Sequence, residues 1–263
     1  MEGKHNDHIA LSKKNLLQFT NNSGAIFYLD FDNMQIHQSY AKKYNTKENY
    51  FSQERENYLH NFETEMGRLR KKLREFHERK SKFDYNSDLK DTLINWIAIQ
   101  TMRHPDFAKG IRERSIADEI LYIPPDENRY FSPLHREQRL IDKVMTIYHQ
   151  KLSELNVNIA IIDKSCTLTW CLTPEHFVCC GTTFFFPLSP YEAVMLTSEV
   201  SDSVEEDTIV RRFIKFSKDE DMEPILKSYI KATIEHTDKH LIGLKPCLEK
   251  IQELYGSGKI SIE

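Results

Sequence analysis

Glycine is scarce in this sequence, at eight residues in 263. A phosphate-binding loop needs closely spaced glycines between a strand and the helix that follows it. The nearest match, GSGK at 256–259, is followed by no further helical pattern. The sequence therefore argues against nucleoside triphosphate hydrolysis at a loop of this kind.

Long apolar runs are also missing. No stretch approaches the roughly 20 consecutive apolar residues that span a bilayer. The opening residues, 1–15, lack the apolar core of a secretory signal. We therefore predict a cytoplasmic protein with no membrane partner.

Cysteine is limited to five residues, an odd number in a sizeable chain, which argues against a disulfide framework. Their spacing also lacks the paired pattern of a zinc knuckle, so a structural zinc site is not expected. We predict reduced thiols at all five positions, which are Cys166, Cys171, Cys179, Cys180 and Cys247.

A strong net charge is absent as well. The 36 basic and 40 acidic residues leave a formal charge of -4. Such a chain has no overall field that holds a polyanion, so a surface for RNA or DNA would have to be a local patch. Net charge therefore neither supports nor excludes nucleic acid as a partner.

The first half of the sequence has a hairpin pattern followed by helical spacing. The turn signal NNSG leads into AIFYLDFDNMQIHQ, where aromatic and β-branched residues alternate with polar ones. Apolar residues then recur every three or four positions, which predicts a long amphipathic helix. They are Tyr58, Leu59, Phe62, Met66, Leu69, Leu73 and Phe76.

Three more helices are expected. One is stopped by Pro105, one runs over 107–123 and one over 134–155.

From residue 156 onward, short β-rich runs replace the helical spacing. They are VNIAIID, TLTWCLT, HFVCC, TTFFFPLS, AVMLTSE and, after an acidic loop at 199–208, RRFIKFS. One or two closing helices are expected over 222–256. This order predicts a single α+β domain over residues 1–263, with an N-terminal β-hairpin, central helices, and a mostly antiparallel C-terminal sheet with a closing helix.

Three consecutive phenylalanines lie in one of these runs. On a strand, Phe185 points to the opposite face from Phe184 and Phe186. Aromatic side chains on a sheet are able to stack on nucleobases. We expect instead that both faces are core, because a Pro-bracketed turn follows at once.

Several blocks, in chain order, resemble the bacterial family known as domain of unknown function 4238. The opening HIALSKKNLLQF is similar to that family's first motif through His8, Leu16 and Phe19, with Ile9 and Ser12 where the family has a second histidine and a proline. The hairpin AIFYLDF and the helix ENYLHNFETEMG are similar to its next two blocks.

Later blocks extend the resemblance over nearly the whole chain. TMRHP resembles the family's Arg-x-Pro element through Arg103 and Pro105, and FPLSP and IEHTDKHLIG resemble its last strand turn and its last helix. Where the family's late strand ends in Ser-Asp-Asn-Pro, this chain has PEHF at 174–177. The resemblance implies a single domain and an accessory gene of bacteria, of the kind near mobile elements and phage defence. It implies no assigned chemistry.

Candidate catalytic residues lie at the ends of these elements. Glu175 and His176 follow a predicted strand, where a carboxylate beside an imidazole suits acid/base work; the alternative is an exposed turn. Arg103 ends an apolar helix, where it is placed to hold a phosphate or to complement the helix dipole. His8 joins them only if the N-terminal segment folds back over the helix end.

Two other patterns are weaker. RKKLREFH at 70–77 matches a loose Arg-to-His arrangement of small ribonucleases, but a solvated charged face satisfies it equally. Carboxylates on the hairpin and the first long helix would suit a divalent metal only if they converge. They are Asp30, Asp32, Glu48, Glu54, Glu56, Glu63 and Glu65.

The leading functional hypothesis is a nucleic-acid-directed hydrolase, ribonuclease-like or nuclease-like, in a toxin or phage-defence setting. It would act on RNA or DNA through His8, Arg103, Glu175 and His176. No cofactor is assigned, and a divalent metal stays open. The competing hypothesis is a non-catalytic sensor or adaptor that binds a small ligand or a protein partner from the same operon.

Overall fold

The computed structural model of the chain describes residues 6–8, 11–48, 53–79, 87–103, 133–173, 178–198, 213–234 and 239–258. The strands are β1 Asn6–His8, β2 Ala25–Asp30, β3 Gln35–Tyr40, β4 Thr46–Glu48, β5 Asn156–Ile162, β6 Val178–Cys180, β7 Thr183–Ser189, β8 Glu192–Thr197, β9 Phe213–Phe216 and β10 His240–Gly243. The helices are α1 Lys13–Leu16, α2 Gln53–Arg79, α3 Ser87–Arg103, α4 Pro133–Leu152, α5 Asp219–Ile234 and α6 Lys245–Gly256, with a 3₁₀ turn over Leu17–Phe19.

The N-terminal hairpin is confirmed as β2 and β3, and it gains a third strand from the other end of the chain. β10 pairs antiparallel with β2, so the order is β10-β2-β3. The one or two closing helices predicted over 222–256 are present as α5 and α6, but the assignment of residues 240–243 to a helix is wrong, because they form β10. Leu241 and Ile242 are fully buried against β2, and this pairing outweighs the weak helical pattern of the segment.

The C-terminal sheet has five strands in the order β6-β7-β8-β5-β9. All neighbouring pairs are antiparallel except β5 with β9, so the predicted α+β class and the mostly antiparallel sheet are confirmed. A short pair, β1 with β4, is the third sheet found among the described residues.

Apolar layers cover both faces of the five-stranded sheet. Side chains of α2, α3 and α4 pack on the face that includes Phe186 and Val194. Side chains of α5 and α6 pack on the face that includes Phe185 and Met195, and this second layer also reaches Leu29 of the three-stranded sheet. The prediction that Phe185 and its neighbours face two different core layers is therefore confirmed.

The segment TLTWCLT at 167–173 is not the strand that the sequence predicts. Its backbone groups pair with several separate parts of the fold. Thr167 and Leu168 donate N–H bonds to the Asp219 carboxylate, each at 2.9 Å. The Trp170 N–H goes to the Pro190 carbonyl oxygen. A single bridge, Leu172 to Ile242, joins the segment to β10. The segment therefore crosses from one sheet to the other instead of extending either.

Some predictions fall outside the described residues. These are the helix over 107–123 and the acidic loop at 199–208. The single-domain prediction stays a prediction. No helix in the described part of the chain is long and apolar enough to cross a membrane.

Candidate functional site

The four residues predicted to carry catalysis are not brought together by the described structure. Glu175 and His176 lie outside the described residues. For His8 and Arg103 only the backbone is described: His8 lies opposite Thr46 in the β1–β4 pair, and Arg103 is the last residue of α3. These assignments therefore stay predictions.

The described residues contain a different cluster of titratable side chains, on the three-stranded sheet. We call it the Tyr–His face and define it as Tyr28 of β2, His37 of β3, His240 of β10, and Tyr44 from the turn after β3. Tyr44 is 8% exposed and the other three side chains are half-buried. The cluster is therefore partly shielded from water but open on one side.

Strand register explains how these residues meet. Tyr28 is paired directly with His37 and with Ile242. Directly paired side chains lie on the same face of an antiparallel sheet, and residues two apart on a strand share that face. His240, two residues before Ile242, therefore stands on the face that Tyr28 and His37 occupy. The opposite face carries Leu29 and Leu241 into the core.

The ring of Tyr28 contacts all three partners. Its centroid lies 5.3 Å from that of His37 in a stacked arrangement with an interplanar angle of 26°. It lies 4.5 Å from the His240 ring and 5.3 Å from the Tyr44 ring. Both imidazoles therefore flank one phenol ring, on the two strands that neighbour β2.

A hydrogen bond fixes the orientation of one imidazole. Tyr44 Oη lies 3.0 Å from His240 Nδ1. If the phenol donates, Nε2 of His240 carries the proton; if Nδ1–H donates, Nε2 is unprotonated. In either tautomer the bond to Tyr44 orients the His240 ring.

The Tyr–His face rests on an apolar layer at one end. Tyr28 packs partly against a buried cluster on the same face of the sheet. The members of that cluster are Leu11, Leu16, Phe19, Ile26, Ala41, Tyr44, Leu172 and Ile242. This packing supports the rings of Tyr28 and Tyr44, which contact the two imidazoles.

The two carboxylates of the hairpin turn, Asp30 and Asp32, form structural hydrogen bonds and an ion pair. Asp30 accepts hydrogen bonds from the Asp32 N–H and the Asn33 side chain within the hairpin turn, at 2.8 and 2.9 Å. Asp32 forms an ion pair with Lys239 at 2.6 Å. These contacts give both hairpin carboxylates a role in shaping the turn.

The hairpin carboxylates Asp30 and Asp32 join no metal-binding group in the part of the chain that the structure describes. Within the described residues there is no group of three or more His, Cys, Asp or Glu side chains that could hold a metal ion. The hairpin part of the metal hypothesis has no support there.

The sequence held a partial signal for the Tyr–His face. The alternation of the hairpin places Tyr28 and His37 on one face once their register is known. His240 could not be found in this way, because its segment was assigned to closing helices. The third strand of the sheet, and with it the second imidazole, comes from a contact between distant parts of the chain.

The four side chains are suited to proton transfer and to stacking. Imidazole takes up and releases protons near neutral pH, and a phenol donates a hydrogen bond to an oxygen atom. A planar ligand is also able to stack on an aromatic ring at such a surface.

No family model, curated protein or solved structure matches this chain. The resemblance to domain of unknown function 4238 therefore stays a prediction that rests on its motifs.

Proposed function

We propose that the protein is a nucleic-acid-directed hydrolase whose acid/base groups lie on the Tyr–His face. One observation carries the proposal: two imidazoles, His37 and His240, flank the ring of Tyr28, and His240 is oriented by a hydrogen bond between its Nδ1 and Tyr44 Oη. A general base held by a third group is the usual arrangement of an activated proton acceptor.

Phosphodiester cleavage needs one group that removes a proton and one that supplies a proton. In RNA the base takes the proton of the ribose 2′-hydroxyl, and the acid protonates the leaving 5′-oxygen. With two histidines on one surface, one imidazole would act as the base and the other, protonated, as the acid. Tyr28 lies between them and offers a ring on which a base or ribose would pack.

Two exposed cations lie beside this surface along the chain. Lys42 and Lys43 are exposed in the turn that leads to Tyr44. The third nearby lysine, Lys239, is already paired with Asp32. Lys42 and Lys43 would supply the local positive patch that a chain of net charge -4 needs in order to hold a polyanion.

The residues proposed from the sequence keep a place in this hypothesis. The β1–β4 pair puts the backbone of His8 opposite Thr46, two residues after Tyr44. His8 is thus the sequence candidate whose position along the fold fits best with the Tyr–His face. Arg103, Glu175 and His176, and the toxin or phage-defence setting, stay predictions.

A second candidate is a sensor or adaptor without chemistry. It is favoured by the stacked Tyr28–His37 pair, because a flat aromatic surface binds a planar ligand without any need for proton transfer. The hydrolase and the sensor would use the same surface, and they differ only in whether the bound molecule is cleaved.

The test uses purified full-length protein with fluorescence-quenched RNA and DNA oligonucleotides. We expect cleavage by the unaltered chain, and a loss of kcat/KM of about 10²- to 10⁴-fold in His37→Gln and in His240→Gln. His60→Gln is the matched control, because His60 is exposed on α2, away from the three-stranded sheet. Each reaction is repeated with a metal chelator to separate acid/base from metal-dependent cleavage.

Three outcomes are decisive. Absence of cleavage, with oligonucleotide or nucleotide binding that His37→Gln weakens, would replace the hydrolase with the sensor. Cleavage that all three glutamine variants retain would move the active site away from the Tyr–His face. Cleavage abolished by the chelator would contradict a mechanism that relies on imidazoles alone.

A further inference from the structure

Two thiols meet in the core between the sheets. Cys171 Sγ and Cys247 Sγ are 3.8 Å apart, and both side chains are completely buried. Cys171 belongs to the segment that crosses between the sheets, and Cys247 lies in the first turn of α6. The pair therefore joins two elements that are distant in sequence.

The backbone brings the sulfur atoms together. Leu172 and Ile242 exchange two N–H to carbonyl bonds, of 2.8 and 2.9 Å, which places Cys171 beside Gly243. A Cβ atom at position 243 would lie 2.8 Å from Cys171 Sγ. Glycine at this position is what leaves room for the sulfur atom.

The two sulfur atoms have unequal surroundings. The Thr169 N–H donates to Cys247 Sγ at 3.3 Å. The hydrogen bonds from Cys171 and from the Thr169 N–H lower the pKa of Cys247, whereas the same thiol contact and burial raise the pKa of Cys171. The backbone donor at Cys247 Sγ therefore favours the thiolate there, which makes Cys247 the nucleophile of the proposal below.

A buried phenol adds to this asymmetric site. Tyr229 is fully buried on α5, and its hydroxyl makes no hydrogen bond with any residue of the described chain. The Thr169 and Trp170 side chains beside the thiols are likewise buried polar groups without such a partner. Unsatisfied polar groups are rare in a finished core, so this cluster is an unusual setting for two plain structural cysteines.

We propose that Cys171 and Cys247 are a dithiol that a peroxide oxidises to an intramolecular disulfide. The proposal is independent of the Tyr–His face. The pair would be a modification site. The structure described above contains the two reduced thiols, and the oxidised state would link α6 covalently to the segment 167–173.

The reaction balances with hydrogen peroxide as the oxidant. The Cys247 thiolate attacks one peroxide oxygen; the S–O bond forms, the O–O bond breaks, and hydroxide leaves as water with the proton shed by the thiol. Cys171 sulfur then attacks Cys247 sulfur; the S–S bond forms, the S–O bond breaks, and a second water leaves. The two thiols lose two electrons and two protons, and the peroxide becomes two waters.

The geometry requires a small movement and a slow approach. The sulfur atoms must close from 3.8 Å to about 2.05 Å, which rotation of both side chains provides. Complete burial means that peroxide arrives only through local opening, so oxidation is expected to be slower than that of an exposed thiol.

The experiment exposes the folded, unaltered chain to hydrogen peroxide, removes the peroxide with catalase, and alkylates all remaining thiols after denaturation. Peptide mass mapping is expected to show residues 171 and 247 in one cross-linked species that lacks two hydrogen atoms and separates on reduction. The thermal midpoint of the oxidised chain should rise by about 5 °C or more, because the bond closes a long loop.

Matched variants make the result specific. The chain Cys166→Ser/Cys179→Ser/Cys180→Ser keeps only the proposed pair and should give the same cross-link, while the further change Cys247→Ser should abolish it. Recovery of both thiols in alkylated form, a sulfinic or sulfonic acid at Cys247 without a link, or links only between molecules would overturn the proposal. The mapping of the unaltered chain decides the matter even if a variant does not fold.

Discussion

In the five-stranded sheet apolar side chains cover both faces, whereas in the three-stranded sheet they cover one face and only one end of the other, which presents the Tyr–His face beside them. Phe185 and Phe186, neighbours on β7, enter two different core layers. Tyr28 and Leu29, neighbours on β2, enter a polar cluster and the core.

The difference suggests that the five-stranded sheet serves mainly stability and the three-stranded sheet serves mainly function. A sheet enclosed on both faces has no surface for a ligand, so its residues contribute to packing. A sheet enclosed on one face is rigid and also accessible, and functional groups are best held on such supports. Substitutions in the two sheets should therefore produce different kinds of defect, and four predictions test that expectation.

The largest effect is expected in the enclosed sheet, from Phe185→Ala. Phe185 is 5% exposed and stacks on the fully buried Trp170 ring at a centroid distance of 5.4 Å. Removing the ring leaves a cavity and should lower the free energy of unfolding by about 3–5 kcal/mol, measured by urea denaturation.

The control for this prediction is Leu17→Ala, at a side chain that is 45% exposed. It should change the same free energy by less than about 0.5 kcal/mol. A loss of less than about 1 kcal/mol in Phe185→Ala would contradict the close packing inferred for this layer.

A moderate effect is expected where the two regions meet, from Gly243→Ala on β10. The added Cβ would lie 2.8 Å from Cys171 Sγ and 3.3 Å from Leu248 Cδ2. Overpacking of this kind should lower the free energy of unfolding by about 1–3 kcal/mol, as measured by denaturation.

Gly67→Ala is the matched control, because position 67 lies in the interior of α2 with no atom within 4 Å of the added Cβ. That change should raise stability by about 0.5–1 kcal/mol through helix propensity alone. Equal destabilisation by the two alanines would show that contact with Cys171 is not the cause.

A smaller effect on stability is expected on the open face, from Tyr44→Phe. The change removes the hydroxyl that lies 3.0 Å from His240 Nδ1 and leaves the ring in place. We expect a loss of about 0.5–1.5 kcal/mol in the free energy of unfolding, the range for a single hydrogen bond.

The same variant should alter the chemical shifts of the His240 imidazole in NMR spectra and leave those of His60 unchanged. Unaltered His240 resonances would mean that Tyr44 does not orient the ring. A stability loss as large as that of Phe185→Ala would remove the contrast between the two sheets.

The sequence predicted elements whose pattern is local. The β2–β3 hairpin, the long helix α2 and the alternation at Phe185 all follow from spacing within one segment. TLTWCLT and β10 were mistaken because their partners lie elsewhere: Leu172 pairs with Ile242, and His240 pairs with Asp30. A β-rich composition indicates that a segment will pair with a strand, but it does not indicate which strand.

The same limit applies to the candidate site. Tyr28 and His37 face each other within the hairpin, so half of the Tyr–His face lies in an element that the sequence predicted. His240 arrives through long-range pairing, and Tyr44 through a turn that includes Asn45 at a φ of 46°. Sequence pattern alone gives neither position.

The smallest expected effect concerns charge at the ends of the enclosed sheet. Lys215 of β9 lies 2.8 Å from Asp163, the residue after β5. This bond, with those from Ser165, holds the pKa of Asp163 well below its ordinary value. As pH falls, the Asp163 carboxylate takes up a proton in the unfolded chain before it does so in the folded chain. The pair therefore stabilises the fold above about pH 4, and its contribution declines as pH drops toward the folded pKa.

Asp163→Asn should therefore have a lower free energy of unfolding than the unaltered chain at pH 7. The gap between the two free energies should narrow below about pH 4. Glu154→Gln, at an exposed position in the turn after α4, should show no such narrowing. Since the side chains of Lys215 and Asp163 are 60% and 35% exposed, 1 M salt should also shrink the gap at pH 7. A gap that narrows with pH but does not respond to salt would show that Asp163 acts mainly through the hydrogen bonds it accepts from Ser165, and that even the ends of this sheet depend on local geometry more than on the ion pair. A gap independent of pH would contradict the lowered pKa of Asp163.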